Sequence, residues 1–123
     1  GLPGDTQDSM QATLSLSKEL CTAGWNAYGA MALPGSELYY ETLKEGKKVP
    51  SAYTEFSWFG YDTIPLSNGI LSSEEILAFR DAAFINYHSD PDVLLKIEKD
   101  FGEEAVSNIT NMLKVTLKRR ILE

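Results

Sequence analysis

A chain of 123 residues with 43% hydrophobic side chains is long enough for one domain with a buried core, and its net charge is −7. This negative charge argues against nucleic acid or an anionic membrane surface as a partner, and no apolar run approaches the roughly 18 to 20 residues of a membrane span. A single cysteine, Cys21, excludes an intrachain disulfide, and no secretory signal opens the chain, so a cytoplasmic location is predicted.

The chain opens on a turn and not on an initiator methionine. Gly1-Leu2-Pro3-Gly4 precedes Asp5 and Thr6, two residues that cap helices well. Because natural domains seldom start in this way, we expect that processing or truncation has removed an upstream part that holds the chemistry. Gln7 to Ala23 contains neither proline nor glycine, which predicts a helix of about four turns that places Cys21 towards the core.

Residues Trp25 to Leu33 form an apolar run without a helical period. A buried strand is predicted, since parallel strands covered on both faces are continuously apolar; a helix is the alternative, given three alanines. Ser36 then caps a predicted helix from Glu37 to about Glu45. The order helix, strand, helix is typical of a segment cut from a repeating βα architecture. The strand would need neighbours upstream or in a second copy, and its exposed edge predicts self-association.

Lys47 to Leu71 is predicted to be an irregular connector rich in aromatic residues. Prolines, serines and Gly69 interrupt any period. A loop this long is usually functional or covers a surface. Two interpretations stay open: the aromatic side chains cover apolar surface, or they contact a substrate or partner. These side chains belong to Tyr53, Phe56, Trp58, Phe59 and Tyr61.

Three further helices are predicted after the connector. Ser72-Ser73-Glu74-Glu75 is a capping box that starts a helix to about His88. Asp90-Pro91 starts a second helix that ends at Gly102, and Ala105 to Ile121 has the apolar period of a third. A basic cluster near the end of the last helix is expected to complement the helix dipole; it comprises Lys114, Lys118, Arg119 and Arg120.

No catalytic motif stands out among these elements. The one histidine, His88, lies at a predicted helix end, where a capping or surface role is expected. One cysteine and one histidine cannot supply a zinc or iron–sulfur site, so no metal site is expected in this chain. Glu74-Glu75 and Glu103-Glu104 lie in first helical turns, where negative charge is favourable anyway. Composition and spacing alone lead no further than a soluble α/β fragment.

Short motifs along nearly the whole chain point further when they are taken together. They are Gly1-Leu2-Pro3-Gly4-Asp5-Thr6, Asn26 to Ala32, Pro34 to Tyr39, Tyr61 to Thr63, Leu71 to Glu75, Phe79 to Asp81 and Leu117 to Arg119. In order and spacing they resemble the closing part of radical S-adenosylmethionine (radical SAM) enzymes, which are iron–sulfur oxidoreductases and methyltransferases. The most similar subgroup carries an upstream cobalamin-binding domain.

The resemblance implies an α/β fragment that is mostly helical and ends a partial (β/α) barrel. Residues 1–46 would supply one or two short strands with two helices, 47–71 the aromatic connector, and 72–123 a three-helix C-terminal array. Sites in such barrels lie at the C-terminal ends of strands. The resemblance therefore places Leu2 and Pro3 against the adenine of S-adenosylmethionine, and Met31 and Ala32 in the pocket wall. The alternative is that the glycines and prolines only make tight turns.

The cysteine motif C-x-x-x-C-x-x-C, which holds the 4Fe-4S cluster of this family, is absent from the chain. Without the cluster no deoxyadenosyl radical forms, so no catalytic residue is assigned here. The implied parent enzyme uses S-adenosylmethionine, a 4Fe-4S cluster and, in the subgroup, cobalamin, for methylation or rearrangement of an unreactive carbon. The chain alone is predicted to be inactive, to hold no cofactor and to bind the upstream part of its own enzyme. The alternative is a non-catalytic helical protein–protein interaction module whose partner surface is the aromatic connector.

Overall fold

Helices provide all the regular structure in the computed structural model, which describes residues 1–123. The α-helices are α1 (Gln7–Leu20), α2 (Glu37–Lys44), α3 (Ser73–His88), α4 (Pro91–Phe101) and α5 (Glu103–Met112). Two short 3₁₀ helices cover Tyr53–Phe56 and Arg120–Leu122. None of these helices combines the length and the apolar character needed to cross a bilayer.

The predicted strand at Trp25–Leu33 is wrong, and so is the predicted partial (β/α) barrel, because the chain is all-helical. Residues 25–33 form neither helix nor strand. A strand requires a second backbone that supplies a ladder of hydrogen bonds. Here one backbone bond joins the segment to a distant residue, from Leu66 N–H to the Ala30 carbonyl at 2.8 Å. The apolar run therefore has no neighbouring strand to join.

Four predicted helix starts, those of α1 to α4, are confirmed, because side chains cap their first turns. Each capping oxygen accepts a hydrogen bond from a backbone N–H of the first turn, which otherwise has no partner within the helix. The capping residues are Thr6, Ser36, Ser72 and Asp90. The predicted ends of α3 at His88 and of α4 before Gly102 are also confirmed.

Two helices end earlier than predicted. Cys21 has a left-handed backbone with φ of 30°, so α1 stops at Leu20 and the predicted end at Ala23 is wrong. The last helix stops at Met112, and residues 115–119 have no regular structure. The basic cluster consequently does not lie on a helix end. Its Arg119 is buried against α3 instead.

The core lies where α1, α3 and α4 meet. Its buried cluster comprises Leu14, Cys21, Ala83, Tyr87, Val93 and Ile97. A smaller cluster of Met10, Leu71 and Ile76 lies beside it. Burial of each large aliphatic side chain contributes about 1.5 to 3 kcal/mol, so α3, which supplies residues to both clusters, is central to the stability of the fold.

The chain exposes more surface than a compact monomer of its mass. Its accessible surface is 7794 Å², and 17 of its 123 residues are buried. A folded monomer of 13.6 kDa is expected to expose about 6,600 Å², so the excess is about 1,200 Å². One side of a typical protein–protein interface buries about 800 Å². The excess is therefore large enough for a binding partner.

Candidate functional site

The N-terminal turn is built by three neighbouring residues. Pro3 fixes one backbone angle, Gly4 supplies a φ of +87°, and the Asp5 N–H donates to the Leu2 carbonyl at 2.9 Å, as in a type II turn. The Asp5 carboxylate accepts from Ser9 Oγ at 2.8 Å and from the Leu2 N–H at 2.9 Å. The hydrogen bond from Ser9 is the main cause that lowers the pKa of Asp5. The turn is thus held by its own side chains.

Asn68 of the connector fastens this turn to the rest of the chain. Its Nδ2 donates to the Leu2 carbonyl at 3.1 Å and to the Asp5 carbonyl at 2.9 Å. Its Oδ1 accepts from the N–H groups of Ile70 and Leu71 at 3.0 and 2.8 Å. In the sequence, Asn68 was recognisable only as a residue that breaks regular structure. The turn that its side chain contacts lies more than 60 positions earlier, so no local pattern indicates the contact.

The Trp25–Leu33 segment is fastened to α3 by a stacked ring and by an arginine. The Trp25 ring stacks on Tyr87 with centroids 5.5 Å apart. Arg80 donates from Nε to the Ala27 carbonyl at 2.9 Å and from an Nη to Asn26 Oδ1 at 2.7 Å. Because α3 is the central helix of the core, these contacts give the segment a fixed position.

Arg80, Asp81 and Arg119 form a charge network that links the segment to the C-terminal end of the chain. Arg119 contacts both carboxylate oxygens of Asp81 at 2.8 and 2.9 Å, and Arg80 contacts one at 2.9 Å. Burial pushes the pKa of Asp81 upwards, but the hydrogen bonds from Arg119 and Arg80 outweigh it, and the pKa lies below its usual value. The network therefore keeps Asp81 ionised.

Arg119 also satisfies three oxygen atoms of the connector. It donates to the carbonyls of Gly60 and Trp58 at 2.9 and 3.2 Å, and to Thr63 Oγ1 at 3.1 Å. Its side chain is 1% exposed, yet every donor nitrogen has a partner. One arginine thus fixes the connector against α3, a role that the sequence did not indicate.

An N-terminal groove of about 310 Å³ separates the turn from the Trp25–Leu33 segment. Its volume lies at the lower end of the range for ligand pockets. Apolar side chains form most of its walls, and Asp5 and Arg80 bring the charged groups. The apolar walls include Leu2, Trp25, Tyr28, Ile76 and Phe79. The groove is the place where the turn and the segment meet.

The four residues predicted to contact S-adenosylmethionine lie in different environments. Leu2 is 63% exposed and lines the groove, and Pro3 next to it is exposed. Met31 is half-buried and Ala32 is 1% exposed. Of the four, only Leu2 lines the groove. Leu2 is therefore the residue whose side chain is best placed to touch a ligand there.

The cysteine and the histidine lie in the core. Cys21 is buried, as predicted, with its Sγ 3.9 Å from the Val93 carbonyl oxygen. His88 is buried too, so the surface alternative of the predicted capping or surface role is wrong. Its Nδ1 lies 2.9 Å from the Phe84 carbonyl and its Nε2 accepts from the Trp25 N–H at 3.4 Å. Burial lowers the pKa of His88 against the opposing effect of the Phe84 carbonyl.

The residues present do not fit an iron–sulfur cluster. Such a cluster takes several thiolate ligands, and the chain has one buried cysteine. Three or more His, Cys, Asp or Glu side chains do not come together anywhere as potential metal ligands.

Three of the five aromatic residues of the connector show two different environments. Trp58 and Phe59 pack around Tyr28 with ring centroids 4.7 and 6.0 Å away, and the Arg80 guanidinium lies 5.3 Å from the Phe59 centroid. These rings cover the Trp25–Leu33 segment. Tyr53, in contrast, is 94% exposed. Trp58 and Phe59 therefore agree with the interpretation that the aromatic side chains cover apolar surface, whereas Tyr53 is exposed and free to contact a partner.

Comparisons with known proteins return no relative of this chain. No protein-family model matches the sequence. No curated protein and no solved structure matches it either.

Proposed function

We propose that the chain is the C-terminal part of a radical SAM iron–sulfur enzyme and packs against the upstream part of the same polypeptide. The observation that carries the proposal is the excess surface of about 1,200 Å², which a partner would cover. Large apolar side chains that are exposed to solvent support it, and they include Leu2, Tyr28 and Leu33. The motif resemblance provides the family.

In the proposed enzyme the chain contributes part of the S-adenosylmethionine pocket. A 4Fe-4S cluster held upstream would supply the electron that cleaves S-adenosylmethionine for oxidoreductase or methyltransferase chemistry. Leu2 and Pro3 would make apolar contact with the adenine. Met31 would contribute its half-exposed side chain to the pocket wall. Ala32 would act mainly through its backbone, since its side chain is buried. The chain alone would be inactive.

The class of the parent enzyme is tested on its coding sequence and on its iron content. We expect the region upstream of the Gly1 codon to encode C-x-x-x-C-x-x-C. After reconstitution with iron and sulfide, the full-length enzyme should show iron–sulfur absorption, and residues 1–123 alone should not. An upstream region without the three cysteines, or an iron–sulfur chromophore in the isolated chain, would overturn the proposal.

The assignment of the pocket wall is tested with a pair of leucine substitutions in the full-length enzyme. Leu2→Asp should weaken S-adenosylmethionine binding about tenfold, equivalent to about 1.4 kcal/mol, because a carboxylate would replace apolar contact. Leu16→Asp, on exposed α1, is the matched control and should leave binding unchanged. Calorimetric titration measures both, and the cluster content should be equal in the two variants. Equal binding by both would remove Leu2 from the site.

A second candidate function is a helical protein–protein interaction module, and the exposure of Tyr53 favours it. Aromatic residues are enriched at interfaces, where they contribute large apolar contact area. An initiator codon directly before Gly1, with no upstream cysteine motif, would support this function over the enzyme fragment. Tyr53→Ala would then be expected to weaken partner binding while leaving the fold intact.

A further inference from the structure

The two buried arginines that share Asp81 differ in how many of their donors are used. A guanidinium group carries five N–H donors. Arg119 donates five hydrogen bonds, two to Asp81 and three to oxygen atoms of the connector. Arg80 donates three, although it is only 6% exposed. Two N–H groups of Arg80 therefore have no acceptor within the protein.

The unused donors lie at the end of Arg80 that borders a second cavity, of about 340 Å³. Each Nη atom of Arg80 donates once, to Asp81 from Nη1 and to Asn26 from Nη2. Both acceptors line this cavity, and neither lines the N-terminal groove. Ala27, which accepts from Nε, lines the groove instead. The Nη end of Arg80 thus belongs to the second cavity, which we name the C-terminal pocket.

Apolar side chains from the connector, α3, α5 and residues 115–117 form most of the wall of the C-terminal pocket. The centroids of the Phe59 and Phe84 rings each lie 5.3 Å from the Arg80 guanidinium, so the two rings fix its position in the wall. Side chains that are between 40% and 71% exposed line the pocket as well; they are Phe59, Ile85, Met112 and Val115. A ligand with an apolar body would remove this surface from water.

The charged end of the C-terminal pocket is positive. Arg80 and Arg119 share the single carboxylate of Asp81, which leaves one positive charge over in a chain whose net charge is −7. A buried charge without a partner is costly. Since Arg119 uses all its donors, the surplus charge and the unused N–H groups both belong to Arg80. An anionic acceptor matches both features, and a carboxylate is the anion that arginine binds most directly through its N–H groups.

We propose that the C-terminal pocket binds a small molecule with an apolar body and a carboxylate, and that Arg80 receives the carboxylate. The volume of the pocket lies at the lower end of the range for ligand sites, so the body is a short aliphatic chain or a single ring. Every residue that the site requires lies within this chain. The proposal therefore does not depend on the identity of the parent enzyme.

Three ligands that share one aliphatic chain test the recognition of charge. Octanoate, 1-octanol and octylamine are titrated into the protein at neutral pH, and the methyl resonances of Ile85, Met112 and Val115 report the location and the affinity. Octanoate should bind at least about tenfold more tightly than 1-octanol, because hydrogen bonds to a charged acceptor are stronger. Equal affinities, tighter binding of octylamine, or no shift at these methyl groups would each overturn the proposal.

Removing the charge of Arg80 tests its role in binding. Arg80→Gln should weaken octanoate binding about tenfold and leave 1-octanol binding unchanged. If Arg80 only shapes the pocket, both ligands should lose affinity equally, and that result would overturn the proposal, as would no loss for octanoate. Circular dichroism checks the fold, and if Arg80→Gln unfolds, substitutions of exposed residues decide.

A matched pair of exposed substitutions tests the pocket without disturbing Arg80. Ile85 on α3 lines the pocket and is 54% exposed, whereas Leu95 on α4 is 66% exposed and lies outside it. Ile85→Glu places a carboxylate in the apolar wall and should weaken octanoate binding about tenfold. Leu95→Glu makes the same change of charge and should leave binding unchanged. Equal binding by the two variants would show that octanoate binds elsewhere and would overturn the proposal.

Discussion

Two apolar stretches of the chain differ in what satisfies their backbones. α3 buries Ile76, Leu77 and Tyr87 while its backbone hydrogen bonds close within the helix. Trp25–Leu33 is similarly apolar, yet its N–H groups from Asn26 to Ala32 donate to no backbone carbonyl. The comparison teaches that an apolar pattern decides which side chains turn inwards, but only a helix satisfies its backbone without a second segment. α3 is self-sufficient, and the Trp25–Leu33 segment is not.

The largest effect is expected from removing the charge that ties the two regions together. Asp81→Ala would leave Arg119 and Arg80 buried without their carboxylate, since Arg119 is 1% exposed. We expect a loss of about 3 kcal/mol in the free energy of unfolding, at the lower end for a broken buried pair because Asp81 keeps 22% exposure. Urea denaturation measures the loss. Exposed Asp100→Ala is the control and should change stability by less than about 0.5 kcal/mol.

A loss as small as the control's would mean that the Trp25–Leu33 segment is held by its own packing and not by the network. Exchange of the Ala27 amide region would then be unchanged in Asp81→Ala. If the network holds the segment, that region should exchange faster in the variant, while the centre of α4 stays protected.

Arg119 illustrates what the sequence could not predict. With its neighbours Lys118 and Arg120 it was expected to complement the dipole of a helix end, and nothing in the local pattern distinguishes a buried arginine from an exposed one. Its burial depends on Asp81, 38 positions earlier, and on carbonyls of an irregular connector. The helix starts were predictable because capping depends on residues three positions apart. Contacts that join distant irregular segments leave no such local signal.

The second largest effect is expected from a methyl group placed beneath the segment. A Cβ at Gly29 would lie 2.9 Å from Pro65 Cβ, in a stiff and buried ring. Gly29→Ala should therefore destabilise the chain by about 2 kcal/mol through overpacking. Gly24→Ala is the matched control, because its nearest neighbour would be His88 Nε2 at an ordinary 3.8 Å. Thermal unfolding compares them, and equal midpoints would show that the segment shifts freely.

Gly29 also shows why the Trp25–Leu33 prediction failed. The apolar run indicated burial between neighbours, and the structure does bring Pro65 and Ile76 against it. Burial alone does not make a strand, since the ladder needs a partner backbone. Of the predicted site residues, Leu2 lines the groove, but Asn68 and Arg80, which position its two sides, act through long-range contacts that no spacing revealed.

A smaller effect on stability is expected from the cap at the start of α3. Ser72 Oγ accepts from the Glu75 N–H at 3.1 Å, and the Glu75 carboxylate accepts from the Ser72 N–H at 2.8 Å. Ser72→Ala should cost about 1 kcal/mol, because one first-turn N–H loses its acceptor. Chemical denaturation measures the cost. Ser72→Asp should retain most of the stability that Ser72→Ala loses, because Asp also caps helices. Equal losses of stability in Ser72→Ala and Ser72→Asp would contradict a capping role.

The smallest effect is expected from a proton at the junction between the two regions. His88 Nε2 accepts from the Trp25 N–H. Protonation of Nε2 would turn this acceptor into a donor, and the protonated Nε2 would then face the Trp25 N–H donor. Burial depresses the pKa of folded His88 below its usual value of 6.5, so its stabilising contribution is present above that pH and is lost as pH falls through the folded pKa. Unfolding free energies between pH 7 and pH 5 should decline by less than the slope of about 1.4 kcal/mol per pH unit that a whole proton gives. His88→Gln cannot take up that proton and should flatten this decline, with the carboxylates unchanged as the common background. An equal pH slope in both proteins would contradict a lowered pKa of folded His88 as the source of this decline.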